Sequence, residues 1–143
     1  MSYKALPKAE REFFAQALAF SHYLYRQIVC KSKFFGKPIK ITSTQILAEL
    51  LYKSEFGSHP LCKEKYPEKE GKWSNNLACL GLDGTWNGKS LKYEGKFYKT
   101  FKDWSDFGTH YTDLIVFHNY PTMCYDRLIE TYSLGDYEIG PEI

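Results

Sequence analysis

Three turn dipeptides, Asp83-Gly84, Asn87-Gly88 and Glu94-Gly95, fall close together in the middle of this chain. Pairs of this kind favour the tight turns that join antiparallel strands, because Asn, Asp and Gly tolerate positive φ. A helix cannot run through all three. The pieces between them, residues 90–93 and 96–101, are therefore predicted as hairpin strands. On both sides the apolar period lengthens to 3.6. Phe14, Ala17, Leu18, Leu24, Tyr25 and Ile28 predict a helix over residues 8–29. Residues 31–40 read as a basic connector carrying Gly36 and Pro38. Thr42 and Gln45 make a capping-box pattern for a second helix that runs to about Ser54 and is stopped by Gly57. Residues 58–75, rich in Lys, Glu and Pro, read as a long exposed loop. Asp103 is placed to cap a helix reaching Phe117, and Pro121 to open a last helix that Gly135 would end. The order helix, helix, hairpin, helix, helix is α+β, with the strands segregated into one small lobe.

A chain of 143 residues fits one domain, residues 1–143, and is long enough to bury a core without staples. The formal net charge of +2 does not imply nucleic-acid binding. A local basic excess, Lys89, Lys92, Lys96, Lys99 and Lys102 against Glu94, falls on the hairpin. The four cysteines, Cys30, Cys62, Cys79 and Cys124, form no C-x-x-C pair and have no His at metal-ligand spacing. No metal or cofactor is expected. Free thiols are expected, with two disulfides as the alternative. The first ten residues have no apolar core or cleavage pattern, so a cytoplasmic protein as synthesised is expected. No run is long enough to span a membrane, and no membrane partner is expected.

On a helical wheel, Ile46, Leu47, Leu50, Leu51 and Ser54 form one stripe, and Gln45, Glu49, Tyr52, Lys53 and Phe56 fall opposite. Glu49 and Lys53 stand at i, i+4, a favourable spacing for an ion pair.

Two blocks carry a resemblance. The first ends in Ser54-Glu55-Phe56-Gly57-Ser58. The second is Asn75-Asn76-Leu77-Ala78-Cys79-Leu80-Gly81-Leu82-Asp83-Gly84-Thr85-Trp86-Asn87-Gly88-Lys89-Ser90. Together they resemble the glucosaminidase family of bacterial and phage cell-wall hydrolases, whose blocks run roughly A-x-A-x-L-E-S-x-W/F-G-x-S and N-N-L-F-G-I-K-x-D-x-x-W-N-G-K-S. The likeness extends over about residues 13–137, with Phe97, Phe101, His110 and Asn119-Tyr120 near matching places. It implies a lysozyme-like fold, mainly helical with a small β-hairpin lobe beside a cleft, and a β-N-acetylglucosaminidase acting on peptidoglycan. In such an enzyme the helix glutamate protonates the glycosidic oxygen.

This chain departs from the pattern at that glutamate, where it has Lys53. It also has Glu55 at a glycine position of the first block, and Ala78-Cys79 in place of Phe-Gly. The "A-T-D-P" that follows the family's Gly-Tyr, matched here by Asn119-Tyr120, is missing. An ordinary ammonium, with a pKa near 10.4, is a poor acid at neutral pH and opposes the positive charge that grows on the sugar. Glu55 and Glu49 are the replacement acids on this helix; Asp83 and Glu94 are the carboxylates of the hairpin lobe. Asn75, Asn76, Trp86, Tyr120 and Phe56 are the residues that the resemblance places around the sugar.

Two functions follow. One is a binding protein on a hydrolase scaffold, whose ligand is a peptidoglycan glycan strand or, for a phage or mobile-element inhibitor, a protein target. The other is an active endo-β-N-acetylglucosaminidase that has moved its acid to Glu55 or Glu49. Nucleic-acid binding through the basic hairpin is the weakest reading, because the net charge is small.

Overall fold

A computed structural model describes residues 6–66, 73–123 and 125–138. Its elements are α1 (Lys8–Phe34), α2 (Ser43–Lys53), β1 (Ser90–Tyr93), β2 (Lys96–Lys99), α3 (Trp104–Phe117) and α4 (Asp126–Thr131), with short 3-10 turns at Pro60–Cys62 and Leu134–Tyr137. The architecture is α+β: helices with one two-stranded antiparallel sheet.

α1 continues five residues past the predicted end. Its buried stripe, Phe14, Ala17, Ser21, Leu24, Tyr25, Ile28 and Ser32, keeps helical spacing to the last turn. Ser32 is polar, so hydropathy alone hid that final step. Lys31 and Lys33 complement the helix dipole there. The basic segment is thus half helix and half connector.

α2 starts as its capping box requires. Gln45 N–H donates to Thr42 Oγ1 at 3.1 Å, and Thr42 N–H donates to Gln45 Oε1 at 3.0 Å. The helix lies between two clusters of buried side chains. Ile46 and Leu50 join one with Leu24, Ile28, Phe107 and Tyr111. Leu47, Ala48 and Leu51 join the other with Phe14, Ala17 and Leu134. A helix packed on opposite sides has little room for a solvent face, and every residue from Ser43 to Leu51 except Gln45 is buried.

β1 and β2 pair in the register Ser90↔Lys99, Leu91↔Tyr98, Lys92↔Phe97 and Tyr93↔Lys96. Glu94 (φ 47°) and Gly95 (φ 82°) join them in a two-residue turn with both residues left-handed, which matches the twist of the strands. The remaining part of the lobe is loop rather than strand, fixed by a bridge between Gly81 and Tyr98.

α3 is capped by Asp103, whose Oδ1 accepts from Asp106 N–H at 2.8 Å. Gly108 lets α3 approach α1: a Cβ there would stand 2.9 Å from Leu24 Cδ2 and 3.0 Å from Phe20 Cζ.

The last helix is shorter than expected. Pro121 does not open it; α4 begins at Asp126, and Gly135 lies within the 3-10 turn. After α3, Asn119 adopts φ 52° and Tyr120 N–H turns back to Leu114 O. That turn delivers the Tyr120 side chain to the core, and continuing a helix from residue 121 would withdraw it. The loop over residues 58–75 is also less exposed than expected at its ends, where Leu61, Cys62, Ser74 and Asn75 are buried; residues 67–72 lie outside the described residues.

Candidate functional site

The C-terminal end of α2 gathers most of the residues singled out above. Glu49, one turn before that end, is fully buried. Tyr111 Oη donates to Glu49 Oε1, and Tyr120 Oη donates to Oε2 at 2.8 Å. Each carboxyl oxygen is thus engaged. Burial pushes the Glu49 pKa up from the ordinary carboxylate value, against the pull of the two tyrosine hydrogen bonds and the Lys53 ammonium. The wheel placed Glu49 on an open face in a surface pair with Lys53. Instead, no Glu49–Lys53 ion pair forms among the described residues, and the carboxyl points into a tyrosine cage. The wheel assumed one buried side; α2 has two.

Lys53, the last residue of α2, is half-buried. Its carbonyl accepts from Cys79 Sγ at 3.2 Å, and the next carbonyl, Ser54 O, lies 3.8 Å from Cys62 Sγ. The Cys79 thiol therefore stands at a carbonyl that the helix end leaves without a helical partner, whereas Ser54 O is held by the Gly57 and His59 N–H groups and Cys62 Sγ lies closer to His59 O, at 2.9 Å. Burial pushes Cys62 up to about 12, with the neighbouring Cys79 adding to it, and pushes Cys79 up to about 11. Neither is an activated nucleophile. Cys30, Cys62 and Cys79 are free thiols; Cys124 lies outside the described residues.

Beyond Ser54 the chain enters a left-handed turn: Glu55 (φ 51°), Phe56 (φ 55°) and Gly57 (φ 85°). Gly57 is required there, since a Cβ would stand 2.5 Å from the Phe13 ring. Glu55 is exposed, and Phe56 packs on Tyr132 with ring centroids 5.1 Å apart. Tyr52, on the exposed side of α2, stacks on Tyr125 at 4.3 Å and 17°.

Asn75 and Asn76 lie under this region, buried, and their side chains work on backbone. Asn75 Nδ2 donates to Phe101 O and Lys102 O, both at 3.1 Å. Asn76 Nδ2 donates to Leu80 O at 2.9 Å and Lys99 O at 2.8 Å, while its Oδ1 accepts from Leu80 N–H at 2.8 Å. The pair ties the loop over residues 74–80 to the end of β2. On that loop Cys79 adopts φ 48°. Cys79 Sγ meets the Lys53 carbonyl, and Tyr93 of the hairpin packs on His59, just beyond the left-handed turn, with ring centroids 5.3 Å apart. The α2 terminus, the 74–80 loop and Tyr93 therefore border one region.

Trp86 packs against the core cluster that includes Leu50, Ala78 and Leu80. It packs on Phe101 at 4.9 Å and His110 at 4.8 Å, and its indole N–H donates to Lys89 O at 2.8 Å. It lines a hollow of about 870 Å³ with Trp73, Lys89, Ser90, Thr100, Lys102 and Asp106, among others, none of them from α2. Beside it lies a polar knot around Lys99, which is buried. Lys99 Nζ donates to Asp83 Oδ1, Thr85 Oγ1 and His110 Nε2 at 3.0, 3.0 and 2.9 Å. Burial, reinforced by the Lys99 charge, brings His110 down to about 4. Burial favours the neutral Asp83 carboxyl, but hydrogen bonds from Thr85 and Lys99 outweigh it and hold Asp83 at about 2. Asp83 is thus a partner of Lys99 and Thr85. Glu94 sits in the hairpin turn, exposed.

Tyr111 and Lys99 were not singled out for these roles. Tyr111 follows Phe107 by four residues on the buried side of α3, so periodicity marks it as core. A core tyrosine needs a partner for its hydroxyl, a signal that could have pointed to Glu49. Among the described residues no group of three or more His, Cys, Asp or Glu could hold a metal ion. Compared with family models, curated proteins and solved structures, the chain matches none.

Proposed function

We propose that this protein is a glucosaminidase-like, lysozyme-type scaffold that binds a peptidoglycan glycan strand without hydrolysing it. Two backbone positions support the family reading. Gly57 and Cys79 stand where the family pattern has glycine, and both adopt the left-handed conformation that glycine favours, at φ 85° and 48°. At position 79 the backbone keeps the glycine conformation although the residue has changed.

The single observation that carries the loss of hydrolysis is the caging of Glu49. General acid catalysis needs a protonated carboxyl within hydrogen-bond reach of the glycosidic oxygen. Position 53 offers an ammonium. The Glu49 carboxyl is buried, and both its oxygens are held by tyrosines. Glu55 is exposed on the left-handed turn beyond the helix. Losing the acid alone costs about 10²–10⁴ in rate. In this reading Tyr52, Tyr125 and Tyr93 supply apolar surface for sugar rings, and Lys53 faces the carboxylates of the peptidoglycan.

Zymography on bacterial cell walls, run beside pull-down with insoluble peptidoglycan, tests this. Binding without clearing is the expected result. Clearing that Glu55→Gln or Glu49→Gln abolishes in a folded protein would replace it with the alternative, an active glucosaminidase with a relocated acid. Neither binding nor clearing would remove the glycan as ligand and leave the scaffold to a protein target.

A further inference from the structure

The end of α1 carries a surface that the proposed glycan site does not use. Phe34 is 82% exposed and Phe35 50% exposed; Phe117, at the end of α3, is 37% exposed. The three rings touch in sequence, Phe34 to Phe35 at 4.9 Å and 74°, and Phe35 to Phe117 at 5.0 Å and 81°. They make one apolar knob at the tip of a helix. The turn beyond it projects into open space: a Cβ on Gly36 would meet nothing within 4 Å. A phenylalanine held almost fully in water has no role in the fold, and three in contact are a patch rather than scattered exposure.

The charge around the knob is mostly positive. Between Glu12 and Glu49 the sequence has no acidic residue, but it has Arg26, Lys31, Lys33, Lys37 and Lys40. Lys33, Lys37 and Lys40 are exposed. Two hollows flank the last turns of α1. One is lined by Tyr23, Gln27, Lys31, Phe34, Phe35 and Thr109, among others, and the second by Lys33, Gly36, Lys37, Pro38 and Lys40, among others; neither has a carboxylate in its lining. Asp113 comes near and is taken by Lys31, which also lies 5.5 Å from the Phe117 ring centroid.

We propose that this tip docks peripherally on an anionic phospholipid surface, with Phe34 and Phe35 entering the headgroup–acyl boundary and the lysines meeting lipid phosphates. Aromatic insertion combined with a basic rim is the chemistry of interfacial binding. Single-stranded nucleic acid would also meet aromatics and lysines, but it stacks on open ring faces. Here the rings meet edge to face and use one another's faces, which leaves a compact wedge rather than a stacking ladder. No described helix is long and apolar enough to cross a membrane, and docking of this kind needs none.

Co-sedimentation of the full chain tests the proposal, using phosphatidylcholine vesicles with and without about one-third phosphatidylglycerol, at about 0.1 M salt. The protein should sediment with the anionic vesicles and remain in solution with pure phosphatidylcholine. Phe34→Ser with Phe35→Ser should weaken partitioning by about tenfold or more, and Lys37→Glu with Lys40→Glu should do the same while removing its salt dependence. All four side chains are exposed, so far-UV circular dichroism should be unchanged. A tryptophan at position 34 (Phe34→Trp) should show a blue-shifted emission on adding anionic vesicles. Absence of sedimentation, or sedimentation that neither variant pair weakens, overturns the proposal. So does either of two other outcomes: oligomers that Phe34→Ser with Phe35→Ser dissolves, which would assign the knob to a second copy, or binding of single-stranded DNA that excludes vesicles.

Discussion

Tyr120 Oη donates to Glu49 Oε2 at 2.8 Å, across 71 residues of sequence, and Tyr111 Oη closes the other side of the same carboxyl. This contact explains why the chain after α3 turns inward instead of continuing as helix. Tyr120→Phe keeps the ring and strips one oxygen of its partner inside the core. It should lower unfolding free energy by about 1–3 kcal/mol, measured by urea denaturation.

The same carboxyl sets a pH dependence. Burial raises the folded-state pKa of Glu49 above its ordinary 4.5. Between those two values the native chain holds a proton that the unfolded chain has released, so stability falls as pH rises. The Glu49 contribution is complete below the unfolded value and is lost as pH climbs through the raised one. Melting temperatures of wild type and Glu49→Gln, compared from pH 4 upward, should diverge in that direction, with the Gln variant the flatter. Parallel curves would mean that Glu49 titrates normally in the native state.

His110 offers a second titration with the opposite sign. Held at about 4 by burial and by Lys99, it stays neutral where an unfolded histidine, near 6.5, takes up a proton. Its contribution is present above 6.5 and is lost as pH falls toward 4. Ring-proton NMR should show His110 titrating well below an ordinary histidine. In Lys99→Met the His110 value should move up, because a neighbouring positive charge has gone.

Lys53→Glu restores a carboxylate at the position where the resembling family carries its acid. If the α2 terminus, the 74–80 loop and Tyr93 shape a sugar site, the variant should gain weak cell-wall hydrolysis over an inactive wild type, seen as slow clearing in a zymogram. The Glu49 cage should survive the change, so Lys53→Glu should fold, and loss of folding would place Lys53 in the core electrostatics instead.

The left-handed turn after α2 separates two residues. Glu55→Gly relieves a non-glycine residue at positive φ and should stabilise by about 0.5–1 kcal/mol. Gly57→Ala introduces both a strained φ and a clash with Phe13, and should destabilise by about 2 kcal/mol or more. Thermal denaturation of the two variants distinguishes these effects.

The sequence by itself determined the local events. Thr42 with Gln45, the Asp103 cap, and Glu94-Gly95 each act within four residues, where side-chain chemistry and permitted φ decide the outcome, and each appears in the structure as read. The buried stripe of α1 and the segregation of the hairpin follow from the same short-range periodicity. Tertiary structure decided where α2 sits. One amphipathic wheel cannot show that a helix is packed on two sides, and that packing turned Glu49 from a surface partner of Lys53 into a caged acid. It also decided which residues meet: Tyr120 and Tyr111 with Glu49, and Asp83 and His110 with Lys99. Those pairs are separated by between 11 and 71 residues. Nothing local in the sequence favours one distant partner over another, because the choice depends on how the helices cross and on which buried polar atoms would otherwise lack a hydrogen bond.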